Sequence, residues 1–152
     1  MNYSEMVTKV TKMASGLKKR GLKTEDCVLL MAANCVGISV SIFGVMKAGG
    51  ACVCTTLNLF PGTRLNNPWL SIRTTCLTVF VGYEEEIKNR ANLTRAKFII
   101  TDETRAERAL EAARQSDTVQ QVFVIGQAEG CTSISELFED DGAGPQRPIY
   151  IY

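Results

Sequence analysis

Residues 26–56 constrain the fold more than any other stretch of the chain. After Asp26, residues 27–46 run for twenty positions without a charge. A run of that length has two physical solutions: a membrane span, or consecutive elements buried in a folded core. Asn34, Gly37, Ser39, Ser41 and Gly44 break the run, and Ala33-Asn34-Cys35 reads as a turn. These favour the core and argue against a membrane. Residues 27–33 then read as a strand, apolar at successive positions as burial on both faces requires. Asn34 is placed to cap a helix that continues to about Lys47. Gly49 or Gly50 ends it, and Lys47 faces the negative end of the helix dipole. Residues 51–55 form a second strand, also expected to be buried. Such a β-α-β unit predicts parallel strands with a right-handed crossover.

The flanking sequence supplies the covering layers. Ser4 is a candidate N-cap for a helix to about Arg20, with Val7, Val10, Ala14 and Leu17 as its apolar stripe. Glu5 and Lys18-Lys19-Arg20 suit the two ends of its dipole, and Gly21 suits its left-handed stop. The basic triplet reads as a solvated helix end. Residues 60–82 have no helical period. They contain Pro61-Gly62, Asn66-Asn67-Pro68 and Trp69, and residues 75–81 suit an edge strand or an exposed, aggregation-prone run. From Tyr83 a helix begins, with Glu84, Glu85 and Glu86 in its first turn. A second β-α-β unit follows: a strand at 96–101, a helix capped by Thr101 or Asp102 and running to about Gln115, and a strand at 120–125 closed by Gly126. Ser133, with Glu136 in the capping-box position, is placed to start a short helix through Phe138. The predicted fold class is α/β: a partial open, mostly parallel sheet built from two β-α-β units with flanking helices.

Composition excludes several functions. There is no histidine, which removes Ser-His-Asp and Cys-His sites, His-ligated zinc and a histidine base. Seventeen basic and sixteen acidic residues leave a net charge of +1, which gives no electrostatic reason to expect nucleic acid as a partner. The six cysteines form no C-x-x-C pair. Cys52 and Cys54 share a strand face and read as small buried hydrophobes in a reducing, cytoplasmic compartment. No secretory, peroxisomal or prenylation signal is recognised.

Gly142-Ala143-Gly144-Pro145 follows no strand and is no dinucleotide fingerprint. Asp140-Asp141 reads as a solvated pair, and consecutive glutamates at 84–86 do not converge on one point. No catalytic, cofactor-binding or metal residue is assigned.

The order of Tyr3-Ser4-Glu5-Met6, the Asn34-Cys35 turn and Lys47-Ala48-Gly49-Gly50 resembles the opening motifs of the AMP-forming acyl-CoA synthetases, within the adenylate-forming superfamily. Later stretches share the likeness: Glu84-Glu85-Glu86-Ile87, residues 96–101, residues 121–126 and residues 132–137. The 4-coumarate-CoA ligase and luciferase-like branch is the nearest in pattern. The likeness covers most of residues 2–58 and 83–142. It implies that residues 1–142 are a partial N-terminal, AMP-binding domain, interrupted by an atypical segment at 59–82, with residues 143–152 as a tail. Leu59 stands where the family has Pro, and Gly37 where it usually has an acidic residue.

For a full-length member, the resemblance implies a carboxylic acid, ATP, Mg²⁺ and CoA as reactants. An acyl-adenylate forms first and a thioester second, in the cytoplasm or a peroxisome. The Ser/Thr/Gly-rich phosphate loop and the C-terminal lid of that family do not occur in these residues. The chain by itself is therefore expected to be inactive. Tyr3, Glu5, Lys47, Gly49 and Gly50 match motif positions, with helix entry and helix exit as their expected roles. Two further readings stand beside this one. The chain could be a truncated isoform acting as a non-catalytic interaction module, binding a full-length partner, or itself, through an exposed sheet edge. Alternatively, segment 59–82 could be translated from a retained intron or misjoined exon.

Overall fold

The computed structural model describes residues 2–56, 79–80 and 84–139. Helix α1 (Tyr3–Lys19) leads into strand β1 (Cys27–Met31), helix α2 (Val36–Ala48) and strand β2 (Ala51–Thr56). A two-residue strand β3 (Val79–Phe80) precedes α3 (Glu84–Leu93) and β4 (Ala96–Asp102). A 3₁₀ turn (Glu103–Arg105) opens α4 (Ala106–Arg114), and β5 (Gln121–Ile125), β6 (Thr132–Ser133) and α5 (Ser135–Phe138) follow. The strands form one sheet in the order β3-β2-β1-β4-β5-β6, and every described pairing is parallel. The open, parallel α/β sheet expected from the sequence is therefore present.

Alternation along the central strands separates two cores. Val28, Leu30, Phe98, Ile100 and Phe123 face one side and pack with Val10, Met13 and Leu17 of α1, Val40 and Val45 of α2, and Leu137 of α5. The rings of Phe98 and Phe123 meet edge to face, 5.4 Å between centroids. Leu29, Met31, Ile99 and Val122 face the other side, against Ile87 and Ala91 of α3 and Ala109 and Ala112 of α4. The result is three layers, helix on sheet on helix. Close packing between α1 and α2 depends on Gly44, because a Cβ there would lie 2.9 Å from Cγ of Met13.

Local chemistry corrects several expectations. Helix α1 is capped by Asn2, not Ser4. The Asn2 side chain accepts from the Glu5 amide at 2.8 Å, and the Glu5 carboxylate accepts from the Asn2 amide at 3.1 Å, a reciprocal capping box. Val7 is exposed, because the buried stripe begins at Val10 and takes in Met13, Ala14 and Leu17. Helix α2 is entered through Cys35, without a side-chain cap, so Asn34 is not the cap. Strand β1 ends at Met31, two residues short of the expected end. Strand β2 is not buried throughout. Ala51 and Cys54 are exposed and Cys52 and Val53 half-buried, because β2 lies toward one side of the sheet. Ser133 lies on β6. Its hydroxyl still accepts from the Ser135 amide at 3.3 Å, but Glu136 pairs with Arg20 at 3.0 Å and closes no capping box.

Within the expected edge strand at 75–81, Val79–Phe80 takes the outer position beside β2. The other expectations for residues 59–82, and those for residues 143–152, lie outside the described residues. No helix among the described residues is long and apolar enough to cross a membrane.

The caps carry measurable weight. Asn2→Ala removes the side-chain acceptor of the capping box and is expected to cost about 1 kcal/mol of unfolding free energy. Gly49 has φ +92°, so Gly49→Ala is expected to cost about 1 kcal/mol through left-handed strain. Urea denaturation of the two variants checks both values.

Candidate functional site

In open α/β sheets, ligands seat beyond the C-terminal strand ends where the strand order reverses. Here the chain moves outward from β1 to β2 and β3, then returns to lay β4 on the other side of β1. The reversal lies between β1 and β4, and the candidate crevice is above Met31 and Asp102.

Polar groups of the chain itself meet at the edge of this crevice. Thr101 Oγ1 donates to the Met31 carbonyl at 3.1 Å and ties the two strand ends together. Asp102 Oδ2 accepts from the Ala33 amide at 2.9 Å, which holds the turn between β1 and α2. Its Oδ1 accepts from the Thr104 hydroxyl at 2.7 Å, and the Arg105 guanidinium pairs with Oδ2. Burial alone would push the Asp102 carboxyl up. The Thr104 hydroxyl, the Ala33 amide and the Arg105 charge outweigh it and hold the group below the usual carboxylate range. Next door, Glu103 Oε1 accepts from the Gln127 amide at 2.8 Å and fixes the loop after β5.

A second polar knot closes the opposite rim of the sheet. Lys97 Nζ donates to Asp26 Oδ2 at 2.9 Å and to the Gly21 carbonyl at 2.6 Å. Asp26 Oδ2 also accepts from the Lys23 amide at 2.8 Å. Burial raises the Asp26 carboxyl, and the bonds from Lys97 and Lys23 together with their charges more than reverse it, so its pKa is lowered.

Nucleotide phosphates need available cationic or backbone donors, and Mg²⁺ needs converging oxygens. Among the described residues, no three His, Cys, Asp or Glu side chains gather where they could hold a metal. Both Asp102 oxygens are engaged, and Arg105 is committed to Asp102 and Thr104. The charged side chains beside the reversal are thus committed to partners within the chain. A groove of about 370 Å³ is lined by Glu107, Arg108, Leu110, Glu111 and Arg114, all from α4 alone, which supplies no converging groups.

The residues singled out in the sequence are dispersed. Tyr3 is exposed on the first turn of α1, and Glu5 completes the capping box. Lys47 Nζ donates to Thr11 Oγ1 at 2.8 Å, bracing α2 against α1. Gly49 is the left-handed stop of α2. A Cβ at Gly50 would lie 3.1 Å from the Asp26 carbonyl oxygen. Arg20 sits 5.5 Å from the Phe123 ring centroid as well as beside Glu136, so the basic triplet is partly structural. Cys27, Cys35, Cys52, Cys54 and Cys131 form no disulfide. Burial, with Cys54 and Cys27 nearby, pushes the Cys52 thiol up to about 12. The side chains of Glu84–Glu86, and Asp140-Asp141, lie outside the described residues.

The contacts of Asp102 with Ala33 and of Lys97 with Asp26 join residues 69 and 71 positions apart, so sequence spacing carries no sign of them. Asp102, expected from the sequence as a candidate helix cap, stands at the N-cap of the 3₁₀ turn but makes no side-chain cap bond there.

A doubly wound α/β unit with its reversal between β1 and β4 defines the class. The chain belongs to the AMP-binding enzyme family, whose model matches residues 1–149. An acyl-CoA ligase of Aspergillus niger is 29% identical over 114 residues, which cover 74% of this chain and 17% of that protein. A nonribosomal peptide synthetase of Aspergillus cristatus is 23% identical over 132 residues, covering 87% of this chain and 6% of its own length. Among solved structures, an anthranilate CoA ligase in complex with anthranoyl-AMP has the same fold with a TM-score of 0.71 and 16% identity. It covers 97% of this chain, which spans 24% of that one. The chain thus spans less than a quarter of the length of these relatives.

Stability should follow the two depressed carboxylates. Each binds its proton less readily folded than unfolded, so its contribution is complete above the unfolded value of about 4 and is lost as pH falls through the folded value. Unfolding free energy is expected to be level from these groups above about pH 5 and to drop below about pH 4. Asp102→Asn is expected to cost about 1–3 kcal/mol at neutral pH and to flatten part of the acid limb. Urea midpoints measured across pH check this.

Proposed function

We propose that residues 1–142 are the N-terminal part of the AMP-binding domain of a carboxylic acid–CoA ligase, acting as scaffold. The observation that carries this reading is the family match across residues 1–149, on a unit whose sheet reverses between β1 and β4. In the complete enzyme, an acid of aryl or fatty type attacks the α-phosphorus of ATP. Pyrophosphate leaves, and the thiol of CoA then displaces AMP from the acyl-adenylate. That chemistry draws on charge stabilisation at the phosphates.

In this reading the described residues supply the frame. Asp102 and Thr101 hold the C-terminal ends of β4 and β1 together, and Lys97 with Asp26 holds the opposite rim. Their polar groups are spent on each other, which supports a structural role and a chain that does not turn over by itself. The aryl-acid relatives favour no single substrate, because the named acids belong to those proteins.

The test is pyrophosphate release by the purified chain with ATP, Mg²⁺ and a panel of aryl and fatty acids. The expected outcome is release at the rate of the protein-free control. Acid-dependent release above that control overturns the reading.

A further inference from the structure

Two blocks of opposite charge lie far apart in the sequence. Residues 6–24 carry six basic residues and no acidic one, and residues 115–146 carry six acidic residues and no basic one. The fold brings them together, because α5 packs along α1. Arg20 donates to the Glu136 carboxylate at 3.0 Å, and its guanidinium sits 5.5 Å from the Phe123 ring centroid. Lys9 lies 5.8 Å from the centroid of the Phe138 ring. Between these two cations Leu137 rests on Gly16, where a Cβ would lie 3.0 Å from the Leu137 carbonyl oxygen. Glu136, Leu137 and Phe138 thus meet Arg20, Gly16 and Lys9 in turn.

Apolar contact alone would hold α5 marginally. The helix has four residues, below the length at which a helix persists by itself, and its N-cap, Ile134, makes no side-chain cap bond. Leu137 is its one buried residue. Ile134 adds a second apolar anchor and a bond from its amide to the Val124 carbonyl at 2.9 Å. Ordering such a segment costs free energy of the same order as burying two aliphatic side chains returns. Attraction between the charge blocks is then what tips the balance. The Arg20–Glu136 pair is partly open to water, with side chains 28% and 52% exposed, so dissolved salt screens it.

We propose that residues 134–138 form an ion-latched strap, a unit that lifts from α1 while the rest of the fold stays intact. Arg20 and Lys9 hold it shut, and rising ionic strength loosens it. When it lifts, it uncovers Gly16 and the apolar cluster to which Leu137 belongs. The inference is independent of the reading of this chain as part of a ligase.

Amide hydrogen exchange in the 152-residue chain, at about 20 mM and about 500 mM NaCl, tests the latch. Protection of the Ile134 and Leu137 amides is expected to fall about two- to fivefold at the higher salt, the worth of a surface ion pair, while Leu29 and Ile99 keep theirs. Glu136→Gln is expected to start at the lower protection and to lose most of the salt response. Gly16→Ala lifts the strap by shape instead of charge, and is expected to cost the same two amides at least about tenfold at both salts. Protection of Ile134 and Leu137 that salt or Glu136→Gln leaves unchanged overturns the latch. Unchanged exchange in Gly16→Ala overturns the seat. A loss shared equally by Leu29 and Ile99, in salt or in either variant, overturns the strap as a separate unit, because α5 then opens only with the whole fold.

Discussion

Everything in the structure depends on β1 being enclosed on four sides. Val28 and Leu30 point into one core, Leu29 and Met31 into the other. Its two edges pair with β2 and β4, one strand from each β-α-β unit. An unpaired strand edge in such a place would leave backbone donors and acceptors without water, at a cost comparable to a lost hydrogen bond for each group. Neither β2 nor β4 can therefore be removed without exposing the same strand. The two polar knots follow from this arrangement. Each ties β4 to the loop entering or leaving β1, so each closes one end of the central pair.

This placement also accounts for the distribution of chemistry. A crevice beside a strand-order reversal is where a ligand would be sought, and here Asp102, Thr104 and Arg105 meet at its edge with bonds to one another and to Ala33. Their commitment is what lets the turn between β1 and α2 be held without a side-chain cap at Cys35. The family motif at Lys47-Ala48-Gly49-Gly50 serves packing in the same way. Lys47 braces α1, Gly49 turns the chain, and Gly50 lets β2 begin close under the Asp26 carbonyl.

Much of this frame was legible in the sequence, for physical reasons. Strands buried on both faces must be apolar at successive positions, so residues 27–31, 98–100 and 122–124 announce themselves. Left-handed stops favour glycine, so Gly21, Gly49 and Gly126 mark element ends, whereas Arg95 takes the same conformation after α3 without such a signal. Other features were not legible. Asn2 and Ser4 are both good caps, and only the spacing of Asn2 to Glu5 separates them. The partial exposure of β2 depends on which strand lies beyond it, and composition does not carry that. Nothing local says that β4 returns to β1, so the crevice, and with it the role of Asp102, emerges only from topology. Lys97 and Asp26 are distant in sequence and meet only because β4 chose that neighbour.

Native-state hydrogen exchange tests the centrality of β1 most directly. The account predicts that amides of Leu29, Leu30, Ile99 and Ile100 exchange only through global unfolding, with an opening free energy equal to that from urea denaturation. Amides in β6 and at the start of β2 should exchange through smaller openings. If the β1 amides exchange as fast as those of β6, the strand is not the enclosed centre on which both units depend, and the account is contradicted.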